Sequence, residues 1–362
     1  MPAAIPPPTD VQREARKLGD VLSRGDLRDA FEAAGAFGLL GAHLPGDRGG
    51  SEASGGTVAE MWEGAGETGP AGRLFAMAAH SLAVATPIAL HGGETLRAEV
   101  LPGLLDGTRI GAHAASEAEA GSDAMAMTTS ATPDGDGYRL SGSKLWVSNG
   151  AEADVFVVLA KTPDGAPLGC VVDRSAEGLN VGEAMDKMGL DGASLTSVYL
   201  EEVAVPASHL LGDGRHVFHT AMRYERALIM APQVGAMRRQ LERGLKHART
   251  RRQFGRPIGK NQLVAARVVD MYERYILARG LLRDTASALV DETLDAARAC
   301  LAKLRLSEWA LAQHLDAIRL HGGTGYLEET GLPGHLRDGV GGVLYSGTSD
   351  LQRVIIAAHL GL

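Results

Sequence analysis

The chain has 362 residues, of which 45% are hydrophobic and 22% are charged, and its formal net charge at pH 7 is −8. This composition is typical of a globular protein with two or three domains, and it argues against the disordered and fibrous classes. The negative charge also argues against general binding to nucleic acid, because such binding requires the neutralisation of many phosphates.

Several other classes are disfavoured by motifs that the sequence lacks. Cys170 and Cys300 lie far apart without Cys-x-x-Cys spacing, so we expect two core residues rather than a disulfide or a zinc site. The twelve histidines form no His-Glu-x-x-His motif, and no metal site is expected. No apolar run approaches the roughly 20 residues of a membrane helix, and the N-terminus does not resemble a secretory signal. We therefore expect a cytoplasmic protein without a membrane span.

The first third of the chain has helical periodicity. Thr9 and Gln12 have the spacing of a capping box, which predicts a helix that begins near residue 10. Further helices are predicted over residues 27–40, 57–63, 74–90 and 94–101. Together they predict an N-terminal helical domain over residues 1–108.

The pattern changes after Gly107. Short runs rich in Val, Leu and aromatic residues, such as "DVFVVLAKT" and "LTSVYLEEVAV", alternate with Gly, Asp and Pro. Runs of this kind are typical of antiparallel strands. They predict a middle antiparallel β-domain over residues 109–213.

Long helical segments return after this β-domain. Helices are predicted over residues 217–249, 262–290 and 296–320, and Thr348 and Ser349 offer caps for a last helix. The alanine-rich stretch 296–312 is interpreted as a buried, closely packed helix. Residues 214–362 are thus a C-terminal helical domain, and the fold class is α+β.

Three stretches could bind an anion. The basic segment "MRRQLERGLKHARTRRQFGRPIGK" has two interpretations. It is either a solvated helix face or a phosphate site. The phosphate site would lie at Arg251 and Arg252, just before Phe254 and Gly255 end the helix. "ASEAEAGSD" and "HGGTGYLEETGLP" contain small residues that let the backbone approach a ligand closely. A Rossmann fingerprint and a P-loop are both absent, so neither of those nucleotide sites is expected.

Trp146 and Ser148 in "GSKLWVSNG" stand two residues apart on a predicted strand, so that their side chains should share one face. Core packing is one interpretation of Trp146. The other is a platform for a flat heterocycle such as a flavin, with the hydroxyl as a hydrogen-bonding neighbour.

The order and spacing of these motifs, together with "MGLDGASLTSVYLEEVAVPASHLLG", "RLHGGTGYLEE" and "RDGVGGVLYSGTSDLQR", resemble the acyl-CoA dehydrogenase family from about residue 44 to the C-terminus. The resemblance implies an N-terminal helical domain, a middle β-domain and a C-terminal four-helix bundle. It also implies non-covalently bound FAD and assembly as a homodimer or homotetramer.

The resemblance also suggests which residues contact FAD. Those expected at the flavin and its phosphates within one chain are Ser116, Ser122, Trp146 and Ser148. Those expected to reach the FAD of a neighbouring subunit are Arg251, Gln253, Phe254, Gln262, Gly322 and Gly323. Arg319 stands where the family normally has Gln, and it could still bind phosphate. Thr348 and Asp350 match contacts at the start of the last helix, with Asp350 where Glu or Gln is usual.

The catalytic base is expected at an unusual position. Most family members carry a Glu immediately before the Gly-Thr of the C-terminal motif, and this chain has Ser346 there, whose hydroxyl is not a base for a carbon acid. Its backbone N–H can still hydrogen-bond a thioester carbonyl. A subgroup that resembles isovaleryl-CoA dehydrogenase carries its base before an Arg on the first C-terminal helix, which matches Glu225 and Arg226. An ion pair between Arg226 and a carboxylate is the alternative.

The expected function is FAD-dependent α,β-dehydrogenation of an acyl thioester, carried on coenzyme A or on an acyl carrier protein, to a trans-2-enoyl thioester. Glu225 would be the base, Arg226 would orient the thioester, and an electron-transfer flavoprotein would be the usual acceptor. Two alternatives stay open on the same fold. One is a flavin-dependent monooxygenase or N-hydroxylase, and the other is a non-catalytic FAD-binding homologue.

Overall fold

In the computed structural model, which describes residues 5–362, the chain runs through helices, then a sheet, then helices again. The N-terminal helices are α1 (Asp10–Val21), α2 (Leu27–Ala36), α3 (Gly55–Thr68), α4 (Ala71–His80), α5 (Thr86–His91) and α6 (Glu94–Asp106). The predicted capping box is confirmed, because the Thr9 hydroxyl accepts from the Gln12 N–H at 3.2 Å and the Gln12 side chain accepts from the Thr9 N–H at 3.1 Å.

A π-helical turn (Ser81–Ala85) joins α4 to α5, so that Ala71–His91 is one helix of 21 residues. By length and composition this helix could cross a membrane, and the expectation that no apolar run has that length is wrong here. Of its most apolar window, 89% is buried inside the fold. Val84 and Ile88 pack in one cluster with Val155 and Val157 of the sheet, which makes the segment a core helix.

The middle of the chain forms one eight-stranded sheet. Its strands are β1 (Gly111–Ala114), β2 (Ser130–Asp134), β3 (Gly137–Ser148), β4 (Val155–Lys161), β5 (Pro167–Asp173), β6 (Leu179–Val181), β7 (Leu195–Val205) and β8 (Leu210–Asp213). The order is β6-β7-β3-β2-β4-β5-β8, with β1 also beside β4. Most pairs are antiparallel, as predicted, but β1 and β2 both pair with β4 in parallel. The purely antiparallel prediction is therefore wrong for β4, since residues 115–154 form a crossover long enough for β1 and β4 to run in the same direction.

The C-terminal part contains six helices and a small hairpin. They are α7 (Gly214–Leu228), α8 (Ala231–Thr250), the hairpin strands β9 (Arg252–Gln253) and β10 (Arg256–Pro257), α9 (Gln262–Val290), α10 (Ala296–His321), α11 (Leu332–Gly342) and α12 (Ser349–His359). Helices α7 to α10 pack against one another as the expected bundle. The single helix predicted over 217–249 is two helices, because Pro232 has no N–H for a continuous ladder and the chain turns at Ile229 and Met230.

Helix α3 joins the N-terminal helices to the C-terminal bundle. Its glycines allow the closest approach, since a Cβ at Gly66 would overlap the carbonyl oxygen of Pro232 at the start of α8. Nearer the start of α3, a Cβ at Gly56 would meet its nearest neighbour, the Arg283 guanidinium, at an ordinary 3.8 Å.

These two glycines make a matched pair of substitutions. Gly66→Ala is expected to lower the free energy of unfolding by about 1–3 kcal/mol, because α3 and α8 must move apart. Gly56→Ala is expected to leave it unchanged or raise it by up to about 1 kcal/mol through helix propensity. Urea unfolding of both variants at fixed protein and cofactor concentration measures the difference. Equal stability of the two variants would contradict the close contact.

Candidate active site

Glu225 lies on the buried face of α7, and its side chain is 7% exposed. It shares this face with Val217, Ala221, Met222 and Leu228, at the three- and four-residue spacing of a helix packed on the core. Burial raises the pKa of the Glu225 carboxyl to about 7, and the neighbouring Ser346 hydroxyl, Arg226 and Lys303 partly offset that rise. A carboxyl with this pKa can both take up and release a proton near neutrality.

Ser346 lies in a turn between α11 and α12, directly beside Glu225. Ser346 and Gly347 both have positive φ, +52° and +86°. The Ser346 backbone N–H has no hydrogen-bond partner within residues 5–362, and the same holds for the N–H groups of Gly347 and Thr348. Three consecutive N–H groups are therefore free to bind ligand oxygens, and the first of them is next to a buried carboxylate.

The last helix begins where the sequence predicts. Thr348 is the cap of α12, and its hydroxyl accepts from the Leu351 N–H at 3.1 Å. The Asp350 side chain is 95% exposed and pairs with Arg353 on the same helix. The free N–H groups and the helix start suit an anionic or carbonyl oxygen, so the backbone here fits the expected cofactor contacts.

Two buried basic side chains complete the surroundings of Glu225. Arg226, 9% exposed, lies beside the Cys300 thiol, and its Nε has no partner in the described chain. Lys303 on α10 is fully buried, and its Nζ donates to the Gly347 carbonyl at 2.6 Å. Burial, followed by the charge of Arg226, lowers the pKa of Lys303 to about 7. The predicted core position of both cysteines is confirmed, with Cys300 next to the site rather than remote from it.

The residues expected at the flavin gather on the β-domain. Trp146 is half exposed, and a Cβ at Gly121 would lie 3.9 Å from its Cζ3. The Ser116 carbonyl accepts from the Leu145 N–H at 2.9 Å, so the loop of Ser116 lies along β3. The exposed Ser122 follows Gly121 in that loop, and Ser148 ends β3 half-buried. An exposed indole with a glycine loop at its edge is the kind of surface on which a flat ring can lie.

The strand is irregular at Trp146, however, although buried Val147 still separates the less buried Trp146 and Ser148. A β-bulge falls between Lys144 and Val147, and Trp146 has a positive φ of +56°. The bulge, rather than the alternation of a regular strand, directs the indole outward. Lys144 is buried behind the bulge in an ion pair with Glu117, at 2.8 Å. Neither member of that pair was singled out from the sequence, although a Lys within a strand and a Glu in the adjoining loop were visible.

The remaining predicted residues lie at the other end of the bundle. The rings of His247 and His321 stack at 4.3 Å, which brings the ends of α8 and α10 together. The positions found there are Arg251, Gln253, Phe254, Gln262, Arg319, Gly322 and Gly323, of which Phe254 is 94% exposed. Arg319 is occupied in part by an ion pair with Asp316 at 3.4 Å.

These positions are far from Glu225. The 20 residues of α8 separate them from the turn that follows Glu225, which is about 30 Å along the helix axis at 1.5 Å per residue. Within one chain, therefore, Arg251 and Glu225 do not line the same pocket. An exposed set this far away agrees with the expectation that it serves a neighbouring subunit.

Comparisons with known proteins agree with this arrangement. Residues 11–108, 112–203 and 212–361 match the N-terminal, middle and C-terminal domains of acyl-CoA dehydrogenase. The chain is 41% identical to an L-prolyl-[peptidyl-carrier protein] dehydrogenase of Pseudomonas fluorescens over 354 residues, which cover 95% of this chain and 93% of the relative.

Solved structures agree as well. The fold superposes on the prolyl acyl carrier protein oxidase AnaB with a TM-score of 0.93 at 35% identity, over 98% of this chain and 100% of that one. It superposes equally well on PigA with FAD and proline, at 31% identity over 98% and 97% of the chains. The chain therefore belongs to the acyl-CoA dehydrogenase family, whose members are FAD-dependent enzymes that dehydrogenate acyl thioesters.

Proposed function

We propose that this enzyme dehydrogenates an L-prolyl group that is held as a thioester on the phosphopantetheine of a carrier protein. The names of the relatives at 41% and 35% identity support this choice of acyl group and carrier. An aromatic side chain next to the base also supports a compact acyl group. Tyr345 is half-buried beside Glu225, and its ring packs against Phe75 with 4.5 Å between centroids. Its hydroxyl contacts the Met230 sulfur at 3.1 Å, so an aromatic wall closes the space next to the base.

Glu225 is the proposed base of the reaction. The observation that carries the proposal is that its buried carboxyl lies beside Ser346, whose backbone N–H is free. Its carboxylate takes the proton from Cα of the acyl group, and the free Ser346 N–H donates to the thioester carbonyl as negative charge develops there. Arg226 orients the thioester end. FAD, held by the residues named in the next paragraph, would supply the acceptor for the hydride that leaves Cβ. The acyl group thus loses one proton and one hydride, and a Cα–Cβ double bond forms.

The remaining proposed contacts hold FAD. The bulge of Trp146 and the loop of Ser116 and Ser122 face the ring system, with Ser148 beside it and Thr348 and Asp350 at the start of α12. The distant set around Arg251 and Gly322 faces the FAD of a second subunit.

The rate of flavin reduction is expected to depend on pH through Glu225. Only the ionised carboxylate accepts a proton, so the rate should rise about tenfold per pH unit below a midpoint near 7 and level off above it. A cyclopentanecarbonyl thioester suits the measurement, because it lacks the amine of proline and leaves only groups of the enzyme to titrate. Anaerobic stopped-flow reduction across pH 5.5–9 measures the profile. A rate that is flat over this range would contradict the raised pKa.

The choice of carrier is tested with one acyl group on two carriers. L-Prolyl-carrier protein and L-prolyl-coenzyme A are compared by kcat/KM, with isovaleryl- and butyryl-coenzyme A beside them and mass spectrometry to detect the loss of two hydrogens. A preference for the prolyl-carrier substrate of at least tenfold is expected. A preference for isovaleryl- or butyryl-coenzyme A would replace the prolyl-carrier proposal with branched or fatty acyl dehydrogenation. Oxygen insertion into the product would favour the monooxygenase alternative.

We propose that the enzyme works in the cytoplasm as a homodimer or homotetramer and passes its electrons to an electron-transfer flavoprotein. Large exposed hydrophobic residues support the assembly, because 13 of the 18 on the described surface lie within residues 254–362. Sedimentation with bound FAD determines the oligomer, and reoxidation rates with the flavoprotein and with oxygen identify the acceptor.

A further inference from the structure

Lys303 presents a problem of charge within the core. Its side chain is fully buried, yet no carboxylate oxygen lies within 4.0 Å of its Nζ in the described chain. Removing an ammonium group from water is costly unless something else compensates. A Lys in this position on an alanine- and leucine-rich helix therefore needs a reason other than packing.

The partner of Lys303 is the turn that carries the free N–H groups. Its Nζ donates to the Gly347 carbonyl at 2.6 Å, and Gln352 Nε2 donates to the same carbonyl at 2.9 Å. Gln352 also donates to the Ser346 carbonyl at 3.0 Å. Two buried side chains thus hold two successive carbonyl groups of one turn.

This turn requires such support. Ser346 has a positive φ of +52°. This conformation is energetically unfavourable for any residue other than glycine unless the surrounding structure holds it in place. Holding the Ser346 and Gly347 carbonyls fixes the orientation of the peptide groups on either side of Gly347. The free Ser346 N–H belongs to the preceding peptide group, so its direction depends on the same turn.

Lys303 also acts on Glu225 through charge. The groups that face Lys303 are Glu225 and Arg226 of α7, Cys300 of its own helix and the Tyr345 ring, whose centroid lies 5.6 Å from Nζ. The charge of Lys303 lowers the pKa of Glu225, and the charge of Glu225 raises that of Lys303. A charged Lys303 therefore favours the ionised, proton-accepting form of Glu225.

We propose that Lys303 is a positioning residue, which clamps the Gly347 carbonyl so that the Ser346 N–H points at the substrate carbonyl. The charge of Lys303 also favours the ionised form of Glu225. This inference rests on the proposed roles of Glu225 and Ser346, but not on the prolyl group or the carrier protein.

Two variants separate the clamp from the charge. Lys303→Met removes both, and Lys303→Gln removes the charge while keeping a donor that can reach a carbonyl. Arg305→Met is the matched control, since Arg305 is on the same helix and 48% exposed. All are measured as FAD-bound enzyme, per bound flavin, with whichever thioester the wild type reduces fastest. An inactive prolyl-carrier substrate would then count against the proposed substrate only.

Lys303→Met is expected to slow flavin reduction by about 10- to 100-fold, as misplaced catalytic groups do, with a smaller change in KM. The midpoint of its pH profile should move upward, because removing a positive charge raises the pKa of Glu225. Lys303→Gln should show the upward shift with a smaller loss of rate, and Arg305→Met neither change.

The proposal would be overturned if both Lys303 variants had the pH midpoint of the wild type and reduced flavin at rates within twofold of the wild type. Lys303 would then be a structural residue. If Lys303→Met does not retain FAD, the pH midpoint of Lys303→Gln decides, since an unshifted midpoint there overturns the effect on Glu225.

Discussion

Glu225→Gln is expected to slow anaerobic flavin reduction by about 10²- to 10⁴-fold, which is the contribution of a positioned general base. The amide has nearly the shape of the carboxylate, but it cannot take a proton from Cα. The position where the family normally has its base is occupied by Ser346, so that position supplies no carboxylate to replace Glu225. We therefore expect the loss to fall on the chemical step.

Binding should survive this change. The FAD contacts proposed here do not involve Glu225, so the variant should retain flavin and bind the thioester with a similar dissociation constant. Glu201→Gln, an exposed residue of β7, is the matched control and should reduce flavin like the wild type. Rapid reduction in the Glu225 variant would show that another group is the base.

Glu63→Ala is expected to lower the free energy of unfolding by about 3–5 kcal/mol, the usual cost of breaking a buried ion pair. Glu63 on α3 is fully buried. It accepts from the Tyr275 hydroxyl at 2.9 Å and from Gln12 Nε2 at 2.6 Å, and Arg279 lies at 3.4 Å. One carboxylate thus ties α1, α3 and α9 together, and its removal leaves three polar groups without their partner.

An exposed ion pair gives the contrast for this stability measurement. Glu14 pairs with Lys17 on the surface of α1 at 2.7 Å, and Glu14→Ala is expected to cost no more than about 1 kcal/mol. Both variants are unfolded in urea at the same protein and FAD concentrations, because bound cofactor and partner subunits add stability of their own. A Glu63 variant as stable as the Glu14 variant would contradict a structural role for the buried carboxylate.

Local signals in the sequence were enough for most elements of the fold. The bounds of α9 agree with the predicted 262–290, and the caps at Thr9 and Thr348 lie where Ser/Thr spacing placed them. Such signals depend only on neighbouring residues. The parallel pairing of β1 with β4 depends on residues more than 40 positions apart, and local periodicity carries no information about it.

The site itself was only partly predictable. Glu225 and Ser346 are predicted because Ser346 stands where most family members carry Glu, and their roles stay a prediction. Lys303 was overlooked, since a single Lys in an apolar helix does not reveal that its Nζ reaches a turn 44 residues later. Strand alternation predicted a shared face for Trp146 and Ser148 but left core packing of Trp146 open, and it gave no sign of the bulge at which the indole is exposed.

The most direct test of the proposed reaction is anaerobic addition of one equivalent of L-prolyl-carrier protein to the FAD-bound enzyme, with the flavin absorbance recorded before and after. We predict that the oxidised-flavin band is bleached and that the prolyl group loses two hydrogens. Full FAD occupancy with an unchanged band, on this thioester and on the coenzyme A esters alike, would contradict dehydrogenation and favour a non-catalytic FAD-binding protein.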